Sequence, residues 1–327
     1  MTGSHLSTEE ADRIYNVLSA SWLPSTKQTY GAGLLMFHVF CDSKNPPSLC
    51  RNLFWLCGEE LRLWSGAWHT LHALPWEIPD DKLSAALSGA EKLAPATARR
   101  PPRAPVTVAY VEALFPFFDM SNSLDVAVFA CLTTVFWSVS RLGEFTVPRV
   151  AAFDPLVHVK VSDVVAGETV GALGLPVTSF RIPRTKTAPQ GETVQWSPQV
   201  GNADPKRALD AHLALNKPGP GDHLFAWRAS PTSPPHPLSR HSFLRRVNVA
   251  ASHASLARLQ GHSLRIGGVL VYLLRGIPFD VVKTLGRWSS DSFSLYLRQH
   301  ADILAPYIQG SPVLEPFTRI TMPSRTR

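Results

Sequence analysis

His262 and Arg265, in the run His262-Ser-Leu-Arg265, stand three residues apart and so share one face of a helix. An imidazole beside a guanidinium offers a proton-transfer group next to a fork that can hold a phosphate. Downstream come Leu285-Gly-Arg-Trp288 and then Tyr296, whose phenol could attack such a phosphate. Upstream, Arg141-Leu-Gly-Glu144 closes a strongly apolar helix, and Arg181-Ile-Pro-Arg-Thr-Lys186-Thr runs through a strand and a turn. Each position also has a plain reading. Arg141 alone complements a helix end, or is enclosed and needs an anion, for which Glu144 or a ligand phosphate would serve. Lys186 alone is a solvated lysine, and Tyr296 with Phe293 and Leu297 is core packing. Five matches in one chain order, each in a fitting local structure, favour chemistry over packing.

The elements that must position these residues follow from periodicity and caps. Residues 25–40 and 49–68 read as helical, and 80–93 as a helix ending before Pro95. Residues 96–105 (ATARRPPRAP) form a stiff Pro/Arg linker with Arg99, Arg100 and Arg103, and mark the domain boundary between 1–95 and 106–327. Beyond it, 107–118 and 124–139 read as helices, the second apolar all round and therefore buried. Residues 153–165 alternate as a strand would. Residues 179–183 and 192–196 flank a turn with Pro189-Gln-Gly191, predicting a hairpin that presents Lys186. Ser239 caps a helix over 241–254, Gly276 closes one over 262–274, 278–285 is short, and Ser289 or Ser290 caps the helix carrying Tyr296. The expected fold is mainly α with a small antiparallel β-sheet (α+β).

A chain of 327 residues with 45% hydrophobic and 17% charged residues is globular and long enough for two domains. No apolar run is long enough to cross a bilayer, and the first twenty residues lack a signal pattern, so the expectation is a soluble intracellular protein with no membrane partner. Cys41, Cys50, Cys57 and Cys131 show no metal-ligand rhythm and read as reduced thiols. The net charge is +7, and its distribution is uneven: residues 1–98 hold 7 basic and 10 acidic side chains, and the rest hold 25 and 15. A basic C-terminal two-thirds permits a polyanionic partner.

Arg141, Lys186, His262, Arg265, Trp288 and Tyr296, in this order, resemble the active-site set of the tyrosine recombinases of the phage-integrase superfamily. The resemblance covers roughly residues 105–300. The spelling Gly286-Arg-Trp-Ser-Ser-Asp-Ser-Phe293, with Gly89-Ala-Glu-Lys-Leu-Ala-Pro95 and Arg99-Arg-Pro-Pro-Arg103, is similar to recombinases of eukaryotic mobile elements, among them the fungal Crypton type. It implies a helical N-terminal core-binding domain that clamps DNA, a catalytic domain, and a C-terminal segment over 301–317 exchanged between subunits. It further implies site-specific cutting and rejoining of double-stranded DNA through a 3′-phosphotyrosine, by a nuclear tetramer, with no cofactor, metal or ATP. In that scheme Arg141 and Arg265 bind the phosphate, Lys186 protonates the leaving oxygen, and His262 relays the tyrosine proton. The family's His or Trp usually lies nine residues before the tyrosine, where this chain has Arg287; Trp288 is eight before, and either side chain could fill the place. Further expected DNA contacts are Lys27, Arg99, Arg100, Arg103, Arg181, Arg184, Arg245, Arg246 and Arg287. A type IB topoisomerase-like enzyme would use nearly the same residues, and a domesticated DNA-binding protein would keep the fold without cleavage.

Overall fold

The computed structural model describes residues 16, 26–28, 70, 79–93, 104–170, 174–185, 188–230, 232–288 and 303. The chain divides into two compact units, Met1–Pro101 and Pro102–Arg327. In the first, helix α1 (Asp80–Leu93) opens on Asp80 and Asp81 and carries Lys92 in its last turn, the charge order that a helix dipole favours.

The second unit is built around α3 (Ser123–Trp137). Asn122 caps its start by accepting from the Leu124 and Asp125 amides. From Asp125 to Trp137 every residue is buried, as expected of a helix apolar all round. Two hydroxyls at its C-terminal half return to the helix's own carbonyls: Thr133 donates to Phe129 O, and Ser138 to Thr134 O. Before it lies the short α2 (Val108–Leu114), capped by Thr107 and running into a 3-10 turn, Phe115–Phe117.

The sheet has three antiparallel strands in sequential order: β1 (Val164–Val170), β2 (Leu175–Ile182) and β3 (Glu192–Trp196). On β2, Thr178, Phe180 and Ile182 face the core while Arg181 faces out. Phe180 meets Phe145 edge-on, which ties the sheet to the segment after α3. The strand expected over 153–165 is a correction. Asp154 bonds the Leu156 amide, and Asp163 bonds the Lys160 amide and ammonium, so these side chains wind the backbone into turns and β1 starts only at Val164.

Helix α4 (Pro205–Asn216) lies along α3, with Asp204 as its cap and Pro205 in its first turn. Three further helices follow among the described residues: α5 (Arg240–His253, capped by Ser239), α6 (Gly261–Leu274) and α7 (Phe279–Leu285). Val139, Val269, Leu270, Leu273, Val282 and Ile303 form a second buried cluster where α3, α6 and α7 meet. Ile303 lies within the 301–317 segment expected to exchange between subunits; the rest of that segment lies outside the described residues. No helix among the described residues is long and apolar enough to cross a membrane.

Two imidazoles are enclosed where α4 meets the chain after it. His212 Nε2 donates to Leu224 O and Nδ1 accepts from Asn216, while His223 Nδ1 accepts from the Phe225 amide. Burial disfavours the charged form and takes His212 down to about 4 and His223, which also faces His158 and His212, to about 3. Both folded values lie below the ordinary value near 6.5, so the unfolded chain binds more protons as the pH falls below that value. The stabilisation these rings give is complete above it and shrinks on acidification towards 4. Unfolding free energy from urea titration should fall by about 2 kcal/mol per histidine between pH 8 and pH 5. An unchanged value across that interval would contradict neutral burial.

Candidate active site

Three glycines bring α6 flush against its neighbours. A Cβ at Gly261 would stand 2.7 Å from Leu142 Cδ2, at Gly267 1.9 Å from the Val106 carbonyl oxygen, and at Gly268 2.3 Å from that of Phe136. No larger residue fits at the last two without moving backbone. The close approach sets the start of α6 against the turn that carries Arg141. His262 follows Gly261 directly and is half-buried, and Arg265 lies one turn on, fully buried. The Arg265 Nη2 donates to Gly286 O, and its Cζ sits 4.0 Å from the centre of the Trp288 ring. Stacking of this kind suits a guanidinium, which is weakly hydrated and planar.

The Arg141 turn is aimed by the end of α3. The Val139 amide bonds Phe136 O and the Ser140 amide bonds Val135 O, the Schellman pattern, with Val139 at φ +51 where glycine is usual. A β-branched residue there costs roughly 1–2 kcal/mol. Its burial against Val269, Leu270 and Ile303 holds it in place. Arg141 then opens the 3-10 turn Leu142–Glu144, with its own amide and Nη1 on Glu144 at 2.9 and 3.0 Å.

Helix α7 ends in the same way. Arg287 bonds Thr284 O and Trp288 bonds Lys283 O, with Arg287 in the left-handed position at φ +61. Gly286 is required because the Trp288 ring folds back over it, 1.5 Å from where a Cβ would stand. The Arg287 guanidinium turns inward, with Nη2 2.6 Å from Glu144 Oε2 and Nη1 2.7 Å from Glu192 Oε1. Burial alone would raise the Glu144 carboxyl, but Arg287, with help from Arg141, outweighs it and holds the group below the ordinary carboxylate value. A continuous chain of contacts therefore runs from Arg141 through Glu144 and Arg287 to Trp288 and Arg265.

Of the six residues expected to catalyse, the fold gathers Arg141, His262, Arg265 and Trp288. Lys186 and Tyr296 lie outside the described residues, as do Arg99, Arg100 and Arg103. The flanks of the Lys186 turn are held: the Thr185 amide bonds Ala188 O, the Ala188 amide bonds Thr185 Oγ1, and Gly191 takes φ +81 against the Ile182 carbonyl. Arg181 and Arg184 are exposed beside that turn, and Lys27 is exposed in the first unit. The adjacent pair on α5 separates. Arg245 faces solvent, whereas Arg246 is taken up inside the fold by Asp125, by Phe117 O and by the Phe118 ring at 4.6 Å. Arg246 thus fastens α5 to α3 instead of standing free for DNA, and Arg287, in its two ion pairs, is likewise an internal group.

Two basic residues escaped the sequence reading. Arg240 and Arg258 join His241 and Arg245 around a recess of about 470 Å³ that ends at Gly261, next to His262. Their signal was the i, i+4, i+5 spacing of Arg240, Leu244 and Arg245, but the loop bearing Arg258 is brought in by Asn248, which bonds Leu259 through both amide and carbonyl. Among the described residues no group of three or more His, Cys, Asp or Glu side chains could hold a metal ion.

No family model matches the sequence, and no curated protein matches it. Solved structures do. The XerH site-specific recombinase, in a post-cleavage complex with a palindromic difH substrate, superposes with a TM-score of 0.55 at 14% identity, covering 89% of this chain and 81% of that one. The chain has the tyrosine recombinase catalytic fold. XerA recombinase (TM-score 0.43, 15% identity, 92% and 98% covered) and a lambda integrase dimer on a COC′ core site (0.48, 15%, 89% and 76%) are also similar.

The glycine contacts make a direct stability test. Gly267→Ala should lower the unfolding free energy by about 2 kcal/mol or more, since its methyl meets backbone. Gly143→Ala, with nothing within 4 Å, should change it little. Equal urea midpoints for the two variants would show that α6 does not sit as close as described.

Proposed function

We propose that this chain is a site-specific DNA recombinase that cuts and rejoins double-stranded DNA through a covalent 3′-phosphotyrosine. The observation that carries the reading is the contact chain linking Arg141 to Arg265, two guanidiniums held by buried partners next to His262. In the proposed step the Tyr296 oxygen bonds to the scissile phosphorus as the bond from phosphorus to O5′ breaks. His262 takes the phenolic proton, which otherwise stays on up to a pH near ~10, and Lys186 gives a proton to the departing O5′. Arg141 and Arg265 meet the charge that builds on the two non-bridging oxygens. Trp288 covers Arg265; with Arg287 engaged by two carboxylates, Trp288 is the residue proposed for the place of the family's aromatic or imidazole ring.

Exposed Arg181, Arg184, Arg245, Arg240 and Arg258 are proposed to contact the DNA backbone, with Lys27 and the linker arginines Arg99, Arg100 and Arg103 contributing from the N-terminal side, where residues 1–95 serve as the clamp. The step draws on no metal or nucleotide, because the phosphodiester's energy is kept in the protein–DNA bond. Assembly as a tetramer, action in the nucleus and origin in a Crypton-like mobile element rest on the sequence resemblance.

Incubation with a pool of randomised duplexes carrying a nick should yield a denaturant-stable protein–DNA adduct, absent in Tyr296→Phe. An equal yield from that variant removes Tyr296 from the nucleophile's role, and no adduct with wild type refutes the recombinase reading. Relaxation of supercoiled plasmid at no defined site would point to a topoisomerase instead. Binding to the captured duplex should weaken steeply with salt, and Arg245→Ala should reduce the log–log slope by about 1. An unchanged slope would take Arg245 out of the phosphate contacts.

A further inference from the structure

Arg287 joins three parts of the site, and its conformation is one that a side-chain-bearing residue avoids. It stands in the left-handed position of a Schellman helix end, at φ +61, where glycine is the usual choice. Its side chain is one-tenth exposed, and both terminal nitrogens are taken, Nη2 by Glu144 and Nη1 by Glu192. Glu144 is the carboxylate that holds Arg141 by backbone and side chain. Glu192 opens β3 opposite Ile182 at the end of β2, so it sits at the base of the 183–191 turn that includes Lys186. The next residue, Trp288, covers Arg265.

We propose that Arg287 is a positioning residue for phosphoryl transfer, a single guanidinium that ties the Arg141 turn to the base of the turn bearing Lys186. This rests on the recombinase reading above. The planar fork points its Nη1 and Nη2 donors to two sides and so reaches carboxylates on two separate elements at once, whereas a lysine would need both drawn to a single nitrogen. With both terminal nitrogens engaged and the side chain closed off, Arg287 is not a phosphate ligand. An enclosed ion pair is also a poor device for stability alone, since taking charges out of water offsets much of the attraction. What a bridge of this geometry secures is register between distant segments. Arg287 is 95 residues from Glu192 and 143 from Glu144 in sequence.

The two arms can be separated by chemistry. O5′ must gain a proton as it leaves, whereas sulfur in the same bridging position leaves as a thiolate without one. The duplex captured from the randomised pool is therefore prepared with either oxygen or sulfur at the cleaved bond, and adduct formation is timed on both. Glu192→Gln should slow the oxygen duplex about tenfold or more, because its loss displaces the turn that carries the acid, and should return to near the wild-type rate on the sulfur duplex. Arg287→Met, which also loses the Glu144 arm, should remain slow on both. Thermal unfolding is followed for each variant, and if Arg287→Met does not fold, Glu192→Gln decides. Wild-type rates for Glu192→Gln on the oxygen duplex, or equal slowing on both duplexes, overturn the proposal alone. No adduct from wild type on either duplex overturns the recombinase reading and this proposal together.

Discussion

Glu144 is a carboxylate closed off from water, and the geometry around it depends on how its charge is met. Its two oxygens receive the Arg141 amide, the Arg141 guanidinium and the Arg287 guanidinium. Removing any of these donors would leave a buried charge short of partners, which is far more costly than never having built the pair. That asymmetry is what fixes the turn after α3. Val139 in its unfavourable left-handed conformation is tolerated because the same turn is held at its other end by Glu144, and the cluster around Val269 and Ile303 holds it from below.

Arg141, Arg265 and Arg287 converge here with Glu144, Glu192 and His262. Arg265, fully buried, donates to Gly286 O and stacks on the Trp288 ring. In the proposed reading a phosphodiester meets the Arg141 and Arg265 guanidiniums through its pair of non-bridging oxygens. The basic recess of Arg240, Arg245 and Arg258, ending at Gly261, extends the positive surface away from His262. The flush packing of α6, enforced by Gly267 and Gly268, is what makes these separate features neighbours.

Much of this was legible in the sequence where the cause is local. Helix α1 has the expected bounds, because Pro79 precedes it and the acidic pair Asp80–Asp81 opens it. The cap Ser239, the hairpin closed at Gly191 and the end of α6 at Gly276 are likewise written in single residues. One element was misread and one passed over. Asp154 and Asp163 mimic backbone partners and turn an alternating stretch away from strand, and α4, which starts behind the Asp204 cap and Pro205, was not read from the sequence. That His262 and Arg265 share one turn of α6 followed from their spacing. What spacing could not show is which arginine points inward: Arg246 and Arg245 are neighbours, and the difference is Asp125, 121 residues away. The same holds for Arg287, whose partners are set by the tertiary fold.

The claim that Arg141 and Arg265 act by neutralising one phosphate can be measured by removing that charge from the substrate. On the captured duplex, Arg141→Ala should form adduct about 10²–10³-fold more slowly than wild type. With a methylphosphonate at the cleaved position, which has lost one anionic oxygen, the same variant should approach the wild-type rate. If Arg141→Ala is as slow on the methylphosphonate as on the phosphodiester, Arg141 does not work through phosphate charge, and the account of the site is wrong.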